Sequence, residues 1–137
     1  MRTIKFRGQK QTNGVWVYGD LETKLNRIHE YDNDGNYAGF VNVNPDTIGQ
    51  FTGLYDKNGK EIYEGDIIQY RRLKVVVGFF RGAYGYGRIV EFGRVFVPFV
   101  GSDDNKNALQ FTDGTVFDTD FCEVIGNIHD NLKLLEQ

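Results

Sequence analysis

Apolar and polar residues alternate along most of this chain, the two-residue period of half-buried β-strands, and only its last few residues suggest a helix. Ile4–Arg7 alternates apolar with basic, and Val15–Tyr18 follows the turn dipeptide Asn13-Gly14, so these two segments predict a hairpin. Arg27–Tyr31 and Gly39–Val43 flank Asn33-Asp34-Gly35-Asn36 and predict a second hairpin. Asn44-Pro45-Asp46 ends that strand, because proline cannot donate to a ladder. Thr47–Leu54 predicts a further strand. Ile67–Tyr70, Leu73–Phe80, Arg88–Phe92 and Val95–Val100 follow. Asp113-Gly114 turns between Leu109–Phe111 and Thr115–Phe117, and Phe121–Ile128 is the last strand. Asp130 or Asn131 is placed to cap a short helical turn over Leu132–Leu135, its side-chain oxygen accepting an orphan N–H.

Residues 53–68 punctuate this pattern most sharply. Asn58-Gly59 supplies the positive φ of a tight turn, and Gly65-Asp66 breaks the chain again before Ile67-Ile68 begins a new strand. The expected division lies here, with a hairpin subdomain over residues 1–60 and a second part over residues 61–137. Glu64-Gly65-Asp66-Ile67-Ile68 resembles the opening of an SH3-like small barrel, a glycine–acid turn feeding an apolar strand. The expected fold is therefore mostly β: an N-terminal antiparallel hairpin subdomain, a C-terminal SH3-like small barrel, and a short C-terminal helical turn.

Composition narrows the classes. The 137 residues suit one domain or two small ones, and 40% hydrophobic with 15% aromatic residues can bury a core. Seventeen glycines favour many turns between short strands. A single cysteine, Cys122, forbids an intramolecular disulfide and fits a reducing cytoplasm. The first residues lack the apolar core of a signal peptide, and no apolar run approaches the roughly 18 residues of a membrane span. A cytoplasmic protein with no membrane association and no cofactor is expected.

Four segments carry a family resemblance. Gly53–Ile68, Ile4–Gly8, Val15–Leu21 and Glu123–Asn131 resemble the YopX-like proteins of phages and prophages. The resemblance covers both ends and the centre, about half of the chain. It implies a small phage accessory protein of unknown biochemical role, in the cytoplasm of a bacterial host, and an SH3-like C-terminal half. It supplies no catalytic residues. Residues 69–120 match no part of it, so a function particular to this chain is expected there.

Charge is arranged in blocks beneath a net −3. Residues 1–27 hold six basic and two acidic side chains, and residues 28–66 two basic and eight acidic. Residues 67–102 hold six basic and one acidic, and residues 103–137 two basic and eight acidic. Such blocks complement one another within the fold or between copies, or present a basic face to a polyanion.

Candidate chemistry is sparse. Glu30, Asp32, Asp34 and Gly35 fall at calcium-loop spacing, but Val41 stands where the bidentate glutamate belongs, so a hairpin turn accounts for them better. His29, His129 and Cys122 are too few for a zinc site, and Cys122 reads as a buried structural cysteine. Asp118 and Asp120 share a face if their strand is regular, as a hydrolase pair would require, and Asp103-Asp104 are neighbours. Gly82, Gly85 and Gly87 match neither phosphate-binding glycine pattern. The best binding candidate is the basic, aromatic segment containing Arg71, Arg72, Lys74, Arg81, Tyr84, Tyr86 and Arg88. Bases stack on aromatic rings and phosphates pair with arginine, so this segment suits single-stranded nucleic acid. The favoured expectation is a non-enzymatic protein that acts by binding another copy of itself, as a homo-oligomer, or a host or phage protein. Nucleic-acid binding is the alternative, and a carboxylate hydrolase a lesser one.

Overall fold

The computed structural model describes residues 4–70, 73–78, 94–96, 108–111 and 116–135. Within them the protein is mostly β, with helix only as the 3-10 turns Pro45–Thr47, Thr119–Phe121 and Leu132–Leu135. The chain forms two compact units, Met1–Phe51 and Thr52–Gln137, and the division falls inside one strand, ahead of the turn at Asn58-Gly59.

The first unit contains β1 (Phe6–Gln9), β2 (Trp16–Glu22), β3 (Arg27–Tyr31), β4 (Tyr37–Asn42) and the start of β5 (Gly49–Tyr55). They lie in the order β4-β3-β2-β1-β5, and each neighbouring pair is antiparallel. Both expected hairpins form. Alternation sends Val17, Ile28 and Val43 into the core, with Phe6, Leu21, Val41 and Ile48 packed around them. The end of β4 turns back toward the end of β1. Lys10 bridges Val43, Gln11 N–H donates to Asn42 O at 3.3 Å, and Asn44 N–H donates to Gln9 O at 2.8 Å. Asn44 then caps the turn at Pro45, accepting the Asp46 N–H at 3.0 Å.

The second unit holds the rest of β5, then β6 (Glu61–Tyr63), β7 (Asp66–Tyr70), β8 (Leu73–Gly78), β9 (Arg94–Phe96), β10 (Ala108–Phe111), β11 (Val116–Asp118) and β12 (Cys122–Asn127). Strands β7–β12 form a sheet in the order β11-β10-β9-β8-β7-β12, antiparallel except for the parallel pair β8–β9. Leu54, Ile62, Ile68, Val77 and Cys122 make the core, with Tyr70 and Val124 against them. Cys122 is buried there as a small hydrophobe. Among the described residues this sheet is open. The SH3-like closure expected for residues 61–137 is not seen in them, because β11 and β12, adjacent in sequence, lie at opposite edges. β12 instead pairs with β7, where Cys122 and Val124 reach the apolar face around Ile68.

The two hairpin tips are built alike. In Asp32–Asn36 and in Asp56–Lys60 the aspartate N–H donates to the carbonyl four residues on, at 2.8 Å in each. The aspartate Oδ1 accepts the N–H groups two and four residues on, at 2.8–2.9 Å. The fourth residue of each is glycine, Gly35 at φ +85° and Gly59 at φ +81°, a conformation that penalises any side chain. The next turn, at Gly65, is held by Asp66, only 1% exposed, whose Oδ2 accepts the Tyr63 N–H at 2.7 Å.

The 3-10 turn at Leu132–Leu135 matches the expected position. Its capping differs from expectation. The Asn131 side chain points back and accepts the Asn127 N–H at 3.2 Å, while Leu134 N–H bonds the Asn131 carbonyl at 2.9 Å.

Candidate binding surface

Strands that bury one face present the other, and in the first unit that second face is aromatic and charged. β2 contributes Asp20 and Glu22, β3 contributes Arg27, His29 and Tyr31, and β4 contributes Tyr37 and Phe40. Register brings them together: Asp20 opposes His29, Glu22 opposes Arg27, His29 opposes Phe40, and Tyr31 opposes Tyr37. Gly19 permits the close approach of β2 to β3, because a Cβ there would overlap the carbonyl oxygen of His29.

His29 is the centre of the array. Its Nε2 lies 2.9 Å from Glu22 Oε1 and its Nδ1 2.9 Å from the Tyr37 hydroxyl. A carboxylate only accepts, so Nε2 donates to Glu22, and Nδ1 is within hydrogen-bond distance of the Tyr37 hydroxyl. The same Glu22 oxygen is 3.8 Å from the Arg27 guanidinium. That guanidinium stacks on Phe40, 4.2 Å from the ring centroid. The His29 ring meets Tyr37 and Phe40 at centroid distances of 5.7 and 5.8 Å, and Tyr31 meets Tyr37 edge-on at 5.7 Å. Partial loss of hydration, then the hydrogen bond to Asp20 and its charge, hold the Tyr31 phenol above its ordinary pKa. Tyr31, Tyr37 and Phe40 nonetheless remain 50%, 56% and 48% exposed. Three large rings are thus fixed in place with about half of their surface in water.

The family described as YopX protein matches residues 3–136. The chain belongs to the YopX family. The solved structure of protein EF1440 from Enterococcus faecalis is similar, at 24% identity over 99% of this chain and 100% of that one, with a TM-score of 0.45. No curated protein matches.

Apart from Asp20, the residues described in the segments that carry the YopX resemblance serve the scaffold. Arg7, nearly buried, stacks over Trp16 at 4.4 Å. Phe6, Val17 and Leu21 enter the first core, and Leu54, Ile62 and Ile68 the second. In the closing segment, Asn127 Oδ1 accepts the N–H groups of His129 and Asp130, each at 2.9 Å.

Of the binding residues expected from the sequence, Arg71, Arg72, Arg81, Tyr84, Tyr86 and Arg88 lie outside the described residues, as do Gly82, Gly85, Gly87, Asp103, Asp104 and the expected strand Arg88–Phe92. Lys74 is described, and its ammonium donates to the Leu134 carbonyl at 3.1 Å, tying β8 to the C-terminal turn. Asp118 ends β11 while Asp120 lies in the following 3-10 turn, so the two do not share a face of one regular strand. Asp32 and Asp34 belong to a hairpin tip, as expected. Among the described residues no group of three or more His, Cys, Asp or Glu side chains is placed to hold a metal, and no helix is long and apolar enough to cross a membrane.

Sequence reasoning passed over the His29 surface. Its signal is present as Arg27-x-His29-x-Tyr31 on one strand and Asp20-x-Glu22 on the next, spacings that put each set on one face. That Tyr37 and Phe40 join them depends on the register of the second hairpin.

Proposed function

We propose that this YopX-family chain is a non-enzymatic accessory protein of a phage or prophage. In this reading it works in the cytoplasm of a bacterial host by binding, and its first partner is another copy of itself. The observation that carries the reading is the set of half-exposed rings, Tyr31, Tyr37 and Phe40, held on one sheet face by Asp20, His29 and Arg27 respectively. Ordered aromatic residues with a charged rim are the usual composition of protein interfaces, and pre-ordering reduces the entropy lost on docking. The carboxylates of Asp20 and Glu22 stand within the array, which favours a protein partner over a polyanion at this face.

Sedimentation at micromolar protein in low and high salt tests the reading. An oligomer is expected, weakened by Tyr37→Ala. A monomer at both salt concentrations overturns it.

A further inference from the structure

We infer that β4 is the strand through which two copies join, pairing antiparallel about a two-fold axis so that the two N-terminal sheets become one. The inference rests on the self-association proposed above and adds to its aromatic face the edge of the strand that carries Tyr37 and Phe40. β4 ends the strand order of its sheet; among the described residues its far side is engaged only at its C-terminal end, by Gln9–Gln11, and is open from Phe40 back toward Tyr37.

The backbone of β4 offers hydrogen-bonding groups on that side. Val43 N–H donates to Asn26 O at 3.0 Å and so points toward β3. The preceding residue therefore points away, and the Asn42 carbonyl indeed takes the Gln11 N–H. Phe40 is two residues earlier, and the register from Asn42 to Gly39 is unbroken, so its N–H and C=O also point away from β3. The register shift lies beyond, between the pairs Glu30↔Gly39 and Tyr31↔Tyr37.

Natural edge strands are commonly guarded by lysine, other charges or proline. Residues 35–44 contain no charge and no proline. Such an edge accepts an added strand, as in β-augmentation. Charge at its two ends selects the second copy and the direction. Asp32 and Asp34 lie at the tip preceding Tyr37, while Arg27 opposes Asn42, Lys10 bridges Val43, and Lys24 lies in the turn before β3. Glu22 and Asp46 offset part of that positive charge without cancelling it. Antiparallel pairing about a two-fold axis sets the acidic end of one copy beside the basic end of the other, whereas parallel pairing sets like against like. A two-fold interface must be self-complementary, and this edge is.

The test is sedimentation of the full chain with Phe40→Pro, Phe40→Ala and charge reversals. Proline at an edge position whose N–H faces outward leaves the β3 ladder intact but deletes the donor. Phe40→Pro is expected to be monomeric with a native circular dichroism spectrum, while Phe40→Ala, which loses the ring but keeps the N–H, should dimerise more weakly than wild type and still clearly more tightly than Phe40→Pro. Asp34→Lys and Lys24→Glu should each weaken the dimer several-fold, and the two together restore it. An oligomeric wild type that persists in folded Phe40→Pro overturns the β4 assignment alone. A monomeric wild type overturns the assignment and the self-association beneath it. If Phe40→Pro does not fold, the charge reversals decide: no change in either single variant overturns the assignment.

Discussion

Asp56 Oδ2 accepts the backbone N–H of Val124 at 2.9 Å, across 68 residues of chain. Its Oδ1 meanwhile holds the N–H groups of Asn58 and Lys60, so one carboxylate closes the β5–β6 turn and fastens that turn to β12. The Lys57 N–H adds a bond to the Cys122 carbonyl at 2.9 Å. The nearby Lys57–Glu123 pair, at 3.6 Å and about half exposed, adds little by comparison. Asp56 is 6% exposed, so its three bonds cannot simply be exchanged for water. Hydrogen bonds to charged groups contribute about 1.5–3 kcal/mol each, and part is recovered when exposed donors are rehydrated. Asp56→Ala should destabilise the protein by roughly 3 kcal/mol in urea unfolding. Asp32→Ala, in the equivalent but exposed tip, should cost clearly less. Equal losses would count against the cross-strand role.

Gly19→Ala should be poorly tolerated. The added methyl group must displace the His29 backbone, and overpacking of this kind costs about 1–3 kcal/mol. Since His29 centres the aromatic array, the substitution should also alter the Tyr37 and Phe40 ring resonances. A thermal midpoint and spectrum like those of the wild type would contradict the close approach of β2 and β3.

Tyr31 should ionise at higher pH than an ordinary tyrosine, followed by ultraviolet absorbance or by NMR. Its hydration is reduced and Asp20 opposes a second negative charge beside it. Asp20→Asn should move the transition part of the way back. An unchanged transition in Asp20→Asn would remove Asp20 from the account.

Asp32 should titrate below the ordinary carboxylate range. The backbone N–H of Asn36 is the main cause. A smaller loss of hydration opposes it, and the Asp34 N–H adds to the lowering. Because the folded value lies below the unfolded one, the contribution is complete above the unfolded value and is lost as pH falls through the folded one. Carbon-detected NMR of the side-chain carboxyl measures this directly. A midpoint at the ordinary value would contradict the tip geometry.

Much of the β framework was legible because alternation and turn dipeptides are local signals. Asn13-Gly14 and Asp34-Gly35 mark hairpins that form, and Arg27–Tyr31 is a strand at the expected bounds. The partners of β12 were not legible. Cys122–Asn127 reads as a strand from its own residues, but its place beside β7, at the edge opposite β11, follows from which apolar faces bury together. The His29 surface was hidden for a related reason. Glu22, His29 and Tyr37 come from three strands, and only their register brings an imidazole between a carboxylate and a phenol.

The two hairpin tips separate these contributions most clearly. Asp32–Asn36 and Asp56–Lys60 each place aspartate first and glycine fourth, and that local chemistry suffices to form the same turn twice. An aspartate oxygen can reach backbone donors two and four residues away, and glycine can take positive φ, wherever the turn stands. The tertiary structure decided what the second oxygen does. Asp32 stays at an exposed tip, while Asp56 is carried into the second unit because Leu54 and Ile62 on either side of its turn bury with Ile68, Val77 and Cys122. There its free oxygen meets Val124, a donor that no reading of neighbouring residues supplies.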